Sequence, residues 1–214
     1  MFNSLKPRGI FFNIMMNENN KFLEDTVNLS FFKYISFFIT ILTTIFILKY
    51  LSVSSFGIYS AIFLALNYSR YAFLIPYSAS FKKIPYLRGL GKNEKEIQKI
   101  RENTFGSTFY IMLIISTITF ISSFFVQFNQ EIINGIRLLS VLIILQHFNF
   151  FYMNFLRIDK KFNFVGIFET ILIVLRFILI LFFIKPFGLN GILFSYIISY
   201  GLTTIYAFIR HDYK

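Results

Sequence analysis

Long runs of apolar residues, each about 20 residues in length, follow one another along most of the chain. They lie at approximately 31–51, 55–77, 104–126, 132–155, 163–184 and 188–209. An apolar run of about 20 residues, wound as a helix, is long enough to cross roughly 30 Å of hydrocarbon. The pattern predicts an all-α, polytopic membrane protein with six transmembrane helices. It divides the chain into an amino-terminal segment, 1–30, and a six-helix lobe, 31–210.

Basic residues are concentrated in alternate connections between these runs. The connector 78–103 contains seven of them, Lys82, Lys83, Arg88, Lys92, Lys95, Lys99 and Arg101. The connection 156–162 contains three more, whereas 127–131 contains none. Cytoplasmic loops of membrane proteins collect lysine and arginine. The distribution therefore predicts that both termini and both basic connectors lie in the cytoplasm, with the lobe in the cytoplasmic (inner) membrane.

The composition agrees with this interpretation and excludes several kinds of site. Of the 214 residues, 56% are hydrophobic and only 14% are charged, with a formal net charge of +11. Because the charge pattern accounts for the basic excess, we expect membrane lipid and no nucleic acid as a partner. The absence of cysteine and the presence of only two histidines argue against thiolate chemistry and metal sites. No catalytic motif occurs, so we expect neither an enzyme nor a cofactor.

Within the connector, Ile97 and Ile100 share one face of a short predicted helix, opposite Lys95 and Lys99. This pattern is typical of a basic amphipathic helix on an anionic membrane surface. We favour a positively charged topological anchor without a specific partner over a docking site.

Two arginines lie deep within predicted spans, where ionisable groups are costly and are candidates for function. Arg176 is near the middle of the fifth span, and Glu169 precedes it by two helical turns on nearly the same face. The two residues are expected to line one side of a polar cavity, or else to form a structural ion pair or a bond to a neighbouring helix. Arg70 lies in a polar part of the second span together with Asn67, and we expect this part to face a substrate.

The fourth span contains a lone histidine, His147, among other polar residues. A buried histidine could relay protons. A hydrogen bond between two helices is the interpretation that we favour.

Three segments give the chain a resemblance to a known group. They are Tyr50-Leu51-Ser52-Val53-Ser54-Ser55-Phe56-Gly57-Ile58-Tyr59-Ser60, Arg88-Gly89-Leu90-Gly91-Lys92 and Leu156-Arg157-Ile158-Asp159-Lys160-Lys161-Phe162. With them, residues 28–210 resemble the amino-terminal half of a Wzx-type polysaccharide flippase of the MOP superfamily. The resemblance implies transport of O-antigen or capsule repeat units, linked to undecaprenyl pyrophosphate, across the inner membrane. It also implies that Arg70 and Arg176 contribute to a central cationic cavity.

Flippases of this group normally have twelve or more spans, whereas six are predicted here. The resemblance therefore implies a half-transporter that pairs as a homodimer or with a separate second lobe, or a fragment of a longer protein. Two further alternatives stay open. One is a cation-coupled exporter of small molecules or drugs that depends on Glu169, and the other is a truncated membrane protein that does not transport.

Overall fold

The computed structural model describes residues 7–91, 93–125 and 129–210, and the side chains among them except 7–25, 75 and 210. All regular elements in these ranges are helical. They are α1 (Pro7–Tyr50), α2 (Val53–Ser69), a 3₁₀ turn (Arg70–Phe73), α3 (Leu74–Gly89), α4 (Glu94–Phe125), α5 (Gln130–Ile158) and α6 (Phe162–Arg210). The predicted all-α class is confirmed for this part of the chain.

Four helical stretches are long and apolar enough to cross a membrane. They are Thr26–Tyr50, Glu94–Phe125, Gln130–Ile158 and Phe162–Ile209. A fifth is obtained if the bent pair α2–α3 is taken as one span. Such a set of helices is that of a multi-pass membrane protein.

Helix α6 is folded back on itself at Gly188. This residue has φ 53° and ψ −126°, a conformation that glycine adopts without steric cost. Residues 176 and 200 would be roughly 36 Å apart in a straight helix, yet the Arg176 guanidinium lies 4.8 Å from the ring centre of Tyr200. At Gly191 a side chain would meet the carbonyl oxygen of Phe183 at 2.1 Å. The two halves, 162–187 and 189–210, therefore form a tight antiparallel hairpin.

Helices α2 and α3 meet at a bend of 45°. The 3₁₀ turn Arg70–Phe73 occupies this bend, and Pro76 follows it in the first turn of α3. Proline has no N–H for the carbonyl four residues earlier, and its ring crowds that carbonyl, so a helix bends or breaks there. The bend places Arg70 at the pivot of the pair. Helix α3 then continues to Gly89, well beyond the predicted end of the second span at 77.

Helix α1 packs along the first half of α6, and the two run parallel. Near one end the ring of Phe32 lies against Gly166, where an added methyl group would come within 2.5 Å of the ring. Further along, Ile47 packs with Ile180 and Ile184 in a buried cluster. Between membrane helices, small residues that allow close approach and polar contacts replace the hydrophobic effect as the source of association. Gly166 provides such an approach.

The connector differs from the sequence prediction. Residues 94–103 are the first turns of the continuous helix α4, and Ile97 is only 1% exposed. Ile97 and the half-buried Ile100 belong to the main core, together with Ile84 of α3. The predicted surface helix is therefore wrong for the described residues, because the apolar face that would meet lipid headgroups packs on α3 instead.

The amino-terminal segment predicted at 1–30 is helical from Pro7 onward. Helix α1 begins at Pro7, a residue favoured in the first turn of a helix. The side chains of Lys6, Arg8, Lys21, Lys92, Arg210 and Lys214, which contribute to the predicted charge pattern, lie outside the described residues.

Candidate functional site

Two acidic residues at one end of the bundle each form ion pairs with two basic side chains. Oδ1 of Asp159, at the end of α5, accepts hydrogen bonds from Nη2 of Arg88 at 2.8 Å and from Nη2 of Arg101 at 2.6 Å. The Asp159 side chain is only 13% exposed. These two ion pairs tie the ends of α3 and α4 to the end of α5. We call Arg88, Arg101 and Asp159 the end clamp.

Glu169 forms a second pair of ionic contacts at the same end. Its carboxylate accepts a hydrogen bond from Nη2 of Arg157 at 2.6 Å and pairs with the ammonium of Lys33 on α1. The expectation that Glu169 and Arg176 line one cavity differs from this arrangement. Two helical turns separate them by roughly 10 Å along the axis, and Glu169 is close enough to the helix end to meet Lys33 and Arg157.

Arg176 lies in the middle of the hairpin between two tyrosine rings. Its guanidinium carbon is 3.9 Å from the ring centre of Tyr196 and 4.8 Å from that of Tyr200. Cations at such distances from aromatic faces are attracted by the ring quadrupole. Among the described residues, its buried Nε and Nη2 have no hydrogen-bond partner. The position is about 18 Å from the turn at Gly188.

Arg70 approaches the same place from the bend between α2 and α3. With its amide oxygen turned towards Arg70, Gln146 of α5 accepts hydrogen bonds from Nε at 2.7 Å and Nη2 at 2.5 Å, and donates to the carbonyl of Leu66 at 3.2 Å. Tyr200 interacts electrostatically with both Arg70 and Arg176. We call Arg70, Gln146, Arg176, Tyr196 and Tyr200 the arginine–tyrosine cluster.

The charge of this cluster is not balanced within the described part of the chain. No described carboxylate forms an ion pair with Arg70 or Arg176, and the described ion pairs are all formed by other cations. Guanidinium groups bind phosphate and carboxylate through paired, charge-assisted hydrogen bonds. The Nε and Nη2 atoms of Arg176, which have no described partner, and the nearby Arg70 therefore have the chemistry to bind an oxyanion.

His147 is fully buried in a cage of phenylalanines. Its ring centre lies 5.4 Å from that of Phe73 and 6.0 Å from that of Phe105. Its Nε2 is 3.5 Å from the hydroxyl of Thr108 on α4, and its Nδ1 has no partner among the described atoms. The histidine thus contacts a second helix, as the favoured interpretation expected, and lies outside the arginine–tyrosine cluster.

Asn67 is not part of the cluster either. Its side chain is exposed, whereas its neighbours Leu66 and Ser69 are buried. Its side chain therefore lies at the surface of the described bundle.

The sequence analysis missed Tyr196 and Tyr200. They are four residues apart and so share a helix face. Arg176 and Tyr200 each lie twelve residues from Gly188, on opposite sides of it. In an antiparallel hairpin centred on that glycine, positions at equal distances from the turn meet side by side. This symmetry was available in the sequence once the turn was placed.

Comparison with family models, with curated proteins and with solved structures finds no match for the chain.

Proposed function

We propose that the chain is a membrane transporter that flips polysaccharide repeat units, linked to undecaprenyl pyrophosphate, across the inner membrane by alternating access. The resemblance to Wzx-type flippases suggests the substrate. The arginine–tyrosine cluster supports the proposal, since it holds two cations in the middle of an apolar helical bundle. No chemistry on the substrate is needed, only a site for its anionic group and two orientations of the lobe.

The observation that carries the proposal is that the Arg176 guanidinium is buried and that two of its nitrogen atoms have no described acceptor. A cation at this depth is costly unless other groups compensate it. The tyrosine rings compensate part of its charge and leave Nε and Nη2 without acceptors among the described atoms. A pyrophosphate supplies acceptor oxygens for both nitrogen atoms. The substrate would then supply the hydrogen-bond acceptors that the described part of the protein does not.

The proposed topology has six crossings with both termini in the cytoplasm. The six are α1, the bent pair α2–α3, α4, α5 and the two halves of α6. The end clamp lies at one end of this arrangement, and Lys185 lies beside Tyr50 at the other. The clamp end would face the cytoplasm by the positive-inside rule.

The absence of cysteine makes this topology directly testable. In spheroplasts, an impermeant maleimide should label Lys185→Cys from outside and Lys161→Cys only after permeabilisation. Labelling of both from outside, or the reverse sidedness, would contradict the proposal.

One six-helix lobe forms one wall of a two-walled cavity, so the proposal includes a second lobe. This is either a second copy of the chain or a separate protein. The lobes of such transporters are related by an axis along the membrane normal. Single-molecule photobleaching of a fluorescent fusion in native membrane discs should give two steps for a homodimer. Single steps, together with a co-purifying six-helix protein, would indicate a separate second lobe.

The cation-coupled exporter receives no support from the site. Its candidate carboxylate, Glu169, is already paired with Lys33 and Arg157.

The decisive experiment measures the sidedness of lipid-linked glycan in cells that contain only an Arg176→Ala variant. Lipids are extracted and analysed by mass spectrometry, with and without enzymatic access from the periplasm. We expect glycan-loaded lipid to accumulate on the cytoplasmic side at normal protein levels. Arg176→Lys should restore flipping only in part, since lysine keeps the charge and loses the paired donors.

Arg137→Ala is the matched control. Arg137 is also an arginine inside a helix, but it contacts Ser123 and the ring of Phe124. Normal flipping by Arg176→Ala, or equal loss in Arg137→Ala, would refute the assigned role of Arg176.

A further inference from the structure

A cavity of about 830 Å³ opens beside the end clamp. The guanidinium groups of Arg88 and Arg101 and the carboxylate of Asp159 line its charged side. Phe105 of α4 and Phe208 of α6 are among the aromatic residues that line the other side. Its volume is within the range of small-molecule sites, about 300–1,000 Å³. The cavity is separate from the arginine–tyrosine cluster, none of whose members lines it.

The charged side has the geometry of an oxyanion site. The Nη2 atoms of Arg88 and Arg101 converge on a single oxygen, Oδ1 of Asp159, at 2.8 and 2.6 Å. Nε of Arg101 is buried and has no partner among the described atoms. One carboxylate therefore leaves part of the donor capacity of Arg101 unused. A phosphate, with more acceptor oxygens, would use more of it.

Asp159 occupies this place under unfavourable local conditions. It caps the carboxyl end of α5, where the helix dipole opposes a negative charge. The next residue, Lys160, has φ 57°, a conformation that is uncommon outside glycine. The contacts with Arg88 and Arg101 are what hold the carboxylate there, and an anion that offers the same contacts can replace it.

The apolar side of the cavity provides a second binding surface next to the charged side. Phe105 packs edge-on against Phe151 at 4.8 Å between ring centres, and both line the cavity. Two exposed carboxylates, Glu94 and Glu102, and the basic residue Lys161 also line the cavity. Glu94 is largely exposed and lies 3.8 Å from Arg88. A ligand that matches both sides has an acidic head and an apolar chain.

We propose that this cavity binds an amphiphile with a phosphate or similar acidic head and an apolar tail, and that Asp159 occupies the head site when the ligand is absent. The head binds between Arg88 and Arg101, and the tail lies along the phenylalanines. The ligand is an anionic membrane lipid or a free amphiphilic phosphate. The inference is independent of the proposed transport function, since its residues and its test differ.

Binding can be followed with a single introduced tryptophan, because the chain contains none. The full chain with Phe208→Trp is purified in neutral maltoside detergent and titrated with a brominated dodecyl phosphate, which quenches tryptophan on contact. We expect saturable quenching at low mole fractions of the brominated phosphate in the detergent. Phe125→Trp, exposed at the other end of α4, is the matched control and should show only weak, linear quenching from the micelle.

Two substitutions in the Phe208→Trp background separate a ligand site from a purely structural clamp. Arg101→Gln should weaken binding by about tenfold or more, since a charge-assisted contact is lost. Asp159→Asn should strengthen binding several-fold, because the competing carboxylate is gone. Lys99→Gln, exposed on the same helix as Arg101, should leave binding unchanged. All variants are first shown to be monodisperse by gel filtration.

The nature and source of the ligand follow from three competitors. Anionic phosphatidylglycerol in mixed micelles should displace the probe if the source is the membrane, whereas dodecyl phosphate alone should do so if it is a free amphiphile. Displacement by inorganic phosphate at similar concentrations would overturn the need for a tail. Equal quenching by a brominated maltoside, or weaker binding by a folded Asp159→Asn variant, would overturn the proposal altogether.

Discussion

The end clamp and the arginine–tyrosine cluster each hold two arginines, but they hold them differently. In the clamp, one carboxylate oxygen accepts a hydrogen bond from both guanidiniums. In the cluster, aromatic faces and the amide of Gln146 surround the cations, and no described carboxylate pairs with them. The two cations of the clamp pair with Asp159, and the carboxylate of Glu94 lies 3.8 Å from Arg88. The comparison shows that arginines paired with a carboxylate tie helices together at the end of the bundle, whereas those in its middle have no described carboxylate partner.

The largest loss of stability is expected from a substitution that disturbs the hairpin on which the cluster is built. In Gly191→Ala, the new methyl group would lie 2.1 Å from the carbonyl oxygen of Phe183. Because the backbone at Phe183 must move to make room, we expect the free energy of unfolding to fall by about 3 kcal/mol or more. Gel filtration after stepwise heating in detergent should show earlier aggregation than for the parent. Gly57→Ala, where no described atom lies within 4 Å, is the control, and equal behaviour of the two variants would contradict the hairpin geometry.

The next test removes the carboxylate of the clamp. Asp159→Ala leaves Arg88 and Arg101 facing each other without their shared acceptor, so we expect a loss of about 2 kcal/mol. Denaturant unfolding of the purified protein, followed by tyrosine fluorescence, measures this loss. An unchanged midpoint would mean that the clamp does not stabilise the fold, and the contrast with the cluster would disappear.

A smaller effect is expected at the second acidic residue of the same end. Glu169→Gln removes the partner of Arg157 and Lys33, but the Lys33 side chain is 54% exposed and water can solvate it. We expect a loss of about 1 kcal/mol, as for partly exposed ion pairs. Lys33→Gln combined with Glu169→Gln should cost less than the sum of the two single variants. Strict additivity in this double-mutant cycle would show that the two groups do not interact.

The smallest effect on stability is expected in the cluster itself. Arg176→Met keeps the length of the side chain and removes a cation that has no carboxylate partner, so we expect a change of about zero, within roughly 0.5 kcal/mol, or a slight gain. The same denaturant assay measures it. A loss as large as that of Asp159→Ala would show that Arg176 is a structural residue like those of the clamp.

The helical class and most of the apolar helices follow from the pattern of the sequence, because span length and charge distribution are local properties. The partners of the charged residues cannot be derived from this pattern. Glu169 and Arg176 share a helix face, but which partner each meets depends on depth and on helices distant in sequence. Glu169 meets Lys33 of α1, whereas Arg176 meets Tyr200 across the hairpin.

The connector could not be predicted for a related reason. The apolar face of Ile97 and Ile100 has the same spacing whether it meets lipid headgroups or another helix. Only the packing of α3 against α4 decides between them, as the buried Ile84 and Ile97 show. Tyr196 and Tyr200 were missed because tyrosines at this spacing are common in apolar helices, and their meaning depends on the register set by Gly188.

The contact between Lys33 and Glu169 has a consequence for how the chain is made. The two residues are 136 positions apart, so at 5–20 residues per second the ribosome needs roughly 7 to 27 s to supply the carboxylate after the lysine. During that time α1 lacks this contact. The ion pair that joins α1 to the first half of α6 can therefore form only after most of the chain has been synthesised.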